Sequence, residues 1–229
     1  MLRICFIIIC ISIISTQVFG QRIEPHFREA AYPYYIYLPH DSILNNKPPV
    51  MVFLHGKSLS GTNLQNLKKY GVMSEIFKGR HFPMIVIAPQ TNNGWDPKSI
   101  KNVIDHVRAQ YDTDSSRLYV IGMSMGGYGT INFTGTYPQE VAGAVAMCGG
   151  GDVRLGEGLA SVPLWIRHGD KDYVVPLSES QKIVNSIKKF TDKNLIFTID
   201  KGLNHGDMER FFRGEELYEW LFRHRKPQP

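Results

Sequence analysis

Residues 118–127 read Leu118-Tyr119-Val120-Ile121-Gly122-Met123-Ser124-Met125-Gly126-Gly127, an apolar run closing on a Gly-x-Ser-x-Gly turn, and helical spacing follows from Gly126 to Tyr137. A strand, a sharp turn and a helix in that order form a nucleophile elbow. Small residues are needed two before and two after the serine because the turn brings neighbouring backbone too close for side chains. The hydroxyl is then lifted above the carboxyl edge of a sheet and faces a helix N-terminus, where developing negative charge is favoured. A glycine-rich structural turn carrying an idle serine is the competing reading; the strand-turn-helix context argues against it.

Short apolar runs flank this segment: Tyr34 to Leu38, Val50 to Leu54, Met84 to Ala88, Leu118 to Ile121, Ala142 to Met147, Leu164 to Arg167 and Ile196 to Ile199. Several are apolar at consecutive positions, as strands covered on both faces require. Helical segments fit between them at Leu64 to Phe77, Pro97 to Tyr111, Gly126 to Tyr137, Leu177 to Phe190 and Asp207 to Arg223. The alternation predicts a three-layer α/β architecture with a mostly parallel central sheet and helices on both faces. Between Gly149 and Pro163 the chain is too short for a helical lid, so no large lid domain and an open cleft are expected.

The chain has 229 residues, 43% hydrophobic and 21% charged, which excludes collagen-like, coiled-coil and multi-span membrane classes. Its net charge of +5 is spread without a long basic block, so nucleic acid is not an expected partner. Residues 1–20 carry Arg3 before an apolar run from Ile4 to Ile14 and close on Gly20, the pattern of a secretory signal peptide. A secreted or periplasmic destination, no retained membrane span, and one domain over 21–229 follow as expectations. Removal of the leader takes Cys5 and Cys10 with it, and Cys148, at the end of an apolar run, reads as a small buried residue rather than a reactive thiol.

A serine hydroxyl needs a base, and the base needs an orienting carboxylate. Leu164 to Arg167 leads into His168-Gly169-Asp170-Lys171-Asp172-Tyr173-Val174-Val175-Pro176, where Asp172 is preferred over Asp170 as the acid because it stands further into the loop. Asp170 suits the turn's backbone amides instead, and His168 suits a structural hydrogen bond. His205, in the loop after the last strand, is the expected base. An oxyanion site takes one N–H from Met125 and one from Lys57, which follows Phe53-Leu54-His55-Gly56, with Ser58 as the fallback.

These pieces resemble secreted single-domain α/β-hydrolases of the predicted-peptidase, phospholipase/carboxylesterase and carbohydrate-esterase type, which include feruloyl and acetyl-xylan esterases. The resemblance rests on FLHG at 53–56, YDTDSSRLYVIGMSMGGYGT at 111–130, CGGGD at 148–152, PLWIRHGDKDYVVP at 163–176 and ELYEWLFRHRK at 216–226. It implies Ser124 as nucleophile, Asp172 as acid, His205 as base and the amides of Lys57 and Met125 as oxyanion donors. One departure is that His205 follows Asn204, where a glycine is common in the family. The resulting expectation is a secreted serine esterase working through an acyl-enzyme and hydrolysing acetyl or feruloyl esters on plant polysaccharide. A serine peptidase, a lysophospholipase-like carboxylesterase and an inactive binding module are the alternatives. Trp95 is a candidate for stacking on a sugar or an aromatic acid. No cofactor is called for, and no zinc-ligand spacing stands out among the histidines.

Overall fold

The computed structural model describes residues 20–227, so the leader predicted over residues 1–20 lies, but for Gly20, outside the described residues. Among the described residues eight strands form one sheet: β1 Arg22–His26, β2 Tyr34–Leu38, β3 Val50–Leu54, β4 Ile85–Pro89, β5 Leu118–Met123, β6 Gly143–Met147, β7 Leu164–Gly169 and β8 Leu195–Asp200. Their order across the sheet is β1-β2-β4-β3-β5-β6-β7-β8. From β4 through β8 every pairing is parallel, while β2 runs against both its neighbours. The three-layer, mostly parallel arrangement expected from the sequence is what forms.

The helices are α1 Asp41–Leu44, α2 Gly71–Phe77, α3 Pro97–Gln110, α4 Met125–Thr136, α5 Gly156–Ala160, α6 Leu177–Lys188 and α7 Glu216–Phe222. In α3, Asp96 caps the first turn by accepting from the Ser99 N–H at 2.9 Å, Pro97 follows, and Ile100, Val103, Ile104 and Val107 bury one face. Alternate residues of the central strands feed two separate cores. Val50, Val52 and Leu54 of β3 pack on one face with Val103 and Ile131, whereas Met51 and Phe53 pack on the other with Leu67 and Leu217. Burial on both faces explains why these strands are apolar without alternation.

Two expected helices differ in detail, and the connection expected to carry no lid carries none. The predicted helix from Leu64 to Phe77 breaks into a 3-10 segment, Leu64–Lys68, and α2. Gly71 starts α2 at φ +72 with its α-carbon against the Phe53 ring, a place no side chain fits. The predicted final helix likewise divides into a 3-10 segment, Gly206–Phe212, and α7. The connection from Gly149 to Pro163 holds a 3-10 turn, Val153–Leu155, and the five-residue α5, which packs against α4 and α6 rather than forming a lid.

Candidate active site

Strands β3, β5, β6, β7 and β8 end side by side at one edge of the sheet, and each hands a functional segment to the same region. At the end of β5, Ser124 adopts φ 60, ψ −125, a left-handed conformation for a residue with a side chain. The turn is tight because Gly122 lies against the Gly126 carbonyl, and Gly126 against the Leu54 carbonyl, closer than any Cβ would permit. Met125 is the first residue of α4 and Lys57 the first of a 3-10 turn, Lys57–Leu59, so both N–H groups start helical turns and lack an acceptor within them.

β7 ends at Gly169 and its loop carries both aspartates. Asp172 is the buried one, and Oδ2 receives a 2.6 Å hydrogen bond from His205 Nδ1. Its other oxygen, Oδ1, accepts from the backbone N–H groups of Val174 and Val175, each at 2.9 Å. Burial by itself would raise this carboxyl, but the bonds from His205, Val175, Val174 and Cys148 together hold it below the ordinary carboxylate range. Asp170 instead accepts from the Gly202 N–H at 2.6 Å and ties the acid loop to the histidine loop. His168 is fully buried, with Nδ1 2.7 Å from Ser180 Oγ and Nε2 2.9 Å from the Val175 carbonyl.

The contacts correct the sequence-based assignment at the nucleophile. The sulfur of Cys148, a carboxylate oxygen of Asp172 and a ring nitrogen of His205 lie within 4.8 Å of one another. The assembled cluster is therefore Cys-His-Asp where Ser-His-Asp was expected, and this overturns the reading of the chain as a serine esterase. The sequence hid the thiol because Cys148 looks like the last residue of a core strand. Topology supplies the explanation: β6 lies between β5, which carries Ser124, and β7, which carries Asp172, so the first residue beyond β6 falls between the two loops. Cys148 also stands at φ 48, off the extended path of the strand. Burial pushes its thiol well above the usual range, and a hydrogen bond to Asp172 adds to the effect. The same three side chains offer sulfur, oxygen and nitrogen at ligand-like separation, but a metal would have to displace the thiol proton that Asp172 holds.

A cavity of about 560 Å³ opens beside this cluster, lined by Lys57, Ser58, Tyr70, Ser124, Val174 and His205 among others. Ser124 and His205 thus share one cavity. Trp95, the expected stacking residue, is half-buried outside that lining: its Nε1 donates to the His55 carbonyl at 3.1 Å and its ring meets those of His55 and Tyr32 edge-on. His55, part of the FLHG stretch, takes a positioning role that the sequence did not assign to it. Fully buried, it donates from Nδ1 to the Gly56 carbonyl at 2.7 Å and accepts at Nε2 from the Thr91 N–H at 3.1 Å, which fixes the loop that carries Lys57. Its place directly after an apolar strand was the available signal.

Comparison with known proteins agrees with this framework. A phospholipase/carboxylesterase family model matches residues 90–214, more than half of the chain, and the chain belongs to that family. Feruloyl esterase B of Talaromyces stipitatus is 28% identical over 132 residues, covering 50% of this chain and 35% of that protein. Acetylxylan esterase A of Emericella nidulans is 28% identical over 133 residues, covering 51% and 41%. The chain thus spans about two fifths or less of these curated relatives. Among solved structures, a thermostable esterase superposes with a TM-score of 0.75 at 28% identity, over 90% of this chain and 64% of that one. A feruloyl esterase module from Clostridium thermocellum superposes with a TM-score of 0.67 at 16% identity, over 92% and 91%, which shows the fold alone.

Proposed function

We propose that the chain hydrolyses carboxylic esters in this cavity, with His205 and Asp172 as the proton-transfer pair. The observation that carries the reading is the 2.6 Å bond from His205 Nδ1 to a buried carboxylate, beside a cavity that His205 also lines. Asp172 holds the ring by Nδ1, so Nε2 is the nitrogen left to take the proton from an attacking group and return it to the leaving alcohol. The N–H groups of Lys57 and Met125 are proposed to receive the carbonyl oxygen as it becomes an oxyanion. Relatives that carry the names feruloyl esterase and acetylxylan esterase support an ester borne on a polysaccharide as the natural substrate.

Cys148 lies close to the pair, and Ser124 shares the cavity with His205. Cys148 belongs to the contact cluster, but its thiol is protonated and buried, so attack by sulfur requires His205 to remove the proton first. Ser124 stands on the strained elbow and lines the cavity. The attacking atom is read directly from the acyl-enzyme: acid quenching during turnover of an activated aryl acetate, then peptide mass mapping, is expected to place the acetyl group on the peptide of residue 148, and an acetyl group on any other peptide overturns sulfur as the attacking atom. The hydrolytic proposal itself requires that His205→Ala and Asp172→Ala each lower kcat by about 10³-fold. Wild-type protein that releases no acid from aryl esters, or a His205→Ala variant that keeps its turnover, overturns it.

A further inference from the structure

Resting on the reading of the cavity as an ester-hydrolysing site, we infer that Tyr173 and Val174 form a leaving-group subsite that takes the face of a sugar ring. These two residues are 89% and 69% exposed, a large apolar surface directly after the buried Asp172. Two adjacent exposed apolar side chains at the mouth of a cavity offer a ligand a contact surface. Val174 lines the cavity together with His205, so the patch is continuous with the site rather than a separate face.

Chemistry sets which half of the ester lies there. The carbonyl oxygen belongs with the N–H groups of the Lys57 turn and the start of α4, and the leaving oxygen must be next to His205, which protonates it. Val174 and His205 line the same cavity, so an alcohol protonated by His205 Nε2 leaves into space that the loop of Tyr173 and Val174 borders. That loop is held in place by Asp172 Oδ1, which accepts from the amides of Val174 and Val175. The tyrosine is presented on a fixed turn, so little backbone entropy is lost when a ring stacks on it. A pyranose offers an apolar C–H face to such a ring and hydroxyls to the surrounding water, which suits a platform that is aromatic yet largely solvent-facing.

The test holds the acyl group constant and varies the alcohol. Hydrolysis of ethyl acetate is compared with that of a methyl pyranoside monoacetate, in wild type, Tyr173→Phe and Tyr173→Ala. The expected result is a three- to tenfold loss of kcat/KM on the pyranoside ester alone for Tyr173→Ala, with KM carrying the change, and recovery in Tyr173→Phe. Equal losses on both esters mean that Tyr173 only supports the Asp172 loop, and no loss on either means that the ring does not touch the alcohol; each overturns the inference. Saturation-transfer NMR with the unacetylated methyl pyranoside reads the subsite without turnover: transfer in wild type that disappears in Tyr173→Ala supports it, and unchanged transfer overturns it. Failure of wild type to cleave ethyl acetate counts against the hydrolytic reading, while the NMR result still decides the subsite. Self-association that vanishes in Tyr173→Ala assigns the ring to a contact between copies of the chain and also overturns the proposal.

Discussion

Asp172 divides its work between its two oxygens, one for the turn amides and one for the imidazole. In Asp172→Asn the side-chain oxygen is required at the amides of Val174 and Val175, which leaves the NH₂ group against His205 Nδ1. The ring then must carry its proton on Nε2, where it can no longer accept one. Nitrogen-15 NMR of His205 should show the switched tautomer, and kcat should fall by about 10³-fold or more while the fold persists. His55 makes a separate prediction. Burial lowers it to about 4, only partly offset by its bond to the Gly56 carbonyl, against an ordinary value of 6.5. The unfolded chain therefore binds more protons than the folded one between those values, so stability falls as pH drops from about 6.5 toward 4. The effect amounts to about 3 kcal/mol. His55→Gln, which can still donate to Gly56 and accept from Thr91, should flatten the fall in chemical-denaturation stability across that window; an unchanged slope would contradict the assignment. At this scale Asp172 and His205 were legible from their loops. The closeness of Cys148 to them was not, because adjacency of strand ends across a sheet leaves no local mark in sequence.

Among elements, β7 and β8 are the pair whose separation sets the site, because the acid loop leaves one and the histidine loop the other. Arg167 of β7 fastens them: its guanidinium is buried, with Nε and Nη2 on Asp200 at 3.2 and 2.7 Å and Nη1 on Glu216 at 2.7 Å. It also lies over the Phe211 ring at 3.7 Å. Arg167→Met strands the Asp200 carboxylate and should cost about 3 kcal/mol, measurable by urea unfolding. Adding Asp200→Leu should recover most of that loss, and additivity of the two would show that the pair is not coupled. The sequence revealed α3 almost residue for residue, since its cap, proline and apolar stripe all agree. It concealed β1, Arg-Ile-Glu-Pro-His, whose pairing with β2 comes from the neighbouring strand and not from any alternation of its own. The long helices expected over 64–77 and 207–223 both divide: the first at Gly71, held against Phe53 at positive φ, and the second between a 3-10 segment ending at Phe212 and the start of α7 at Glu216.

Across the whole molecule the sheet is asymmetric in what it exposes. The functional loops gather above β3 and β5 through β8, and β1, β2 and β4 serve as the foundation on the other side. Fold class and layer order were readable because strands covered on both faces must be apolar throughout, whereas the order of strands, which places β3 between β4 and β5, is written in crossovers that no single segment encodes. The sheet's first border is β1, and Pro25 sits within it. A border strand normally offers unpaired donors to any passing chain, and a proline interrupts that row because it has no N–H. Pro25→Val should complete the row and let one molecule's border seed growth onto another's, visible as concentration-dependent light scattering with catalysis per soluble chain unchanged. Pro25 would then be a guard against fibrils, set at the far end of the molecule from its chemistry.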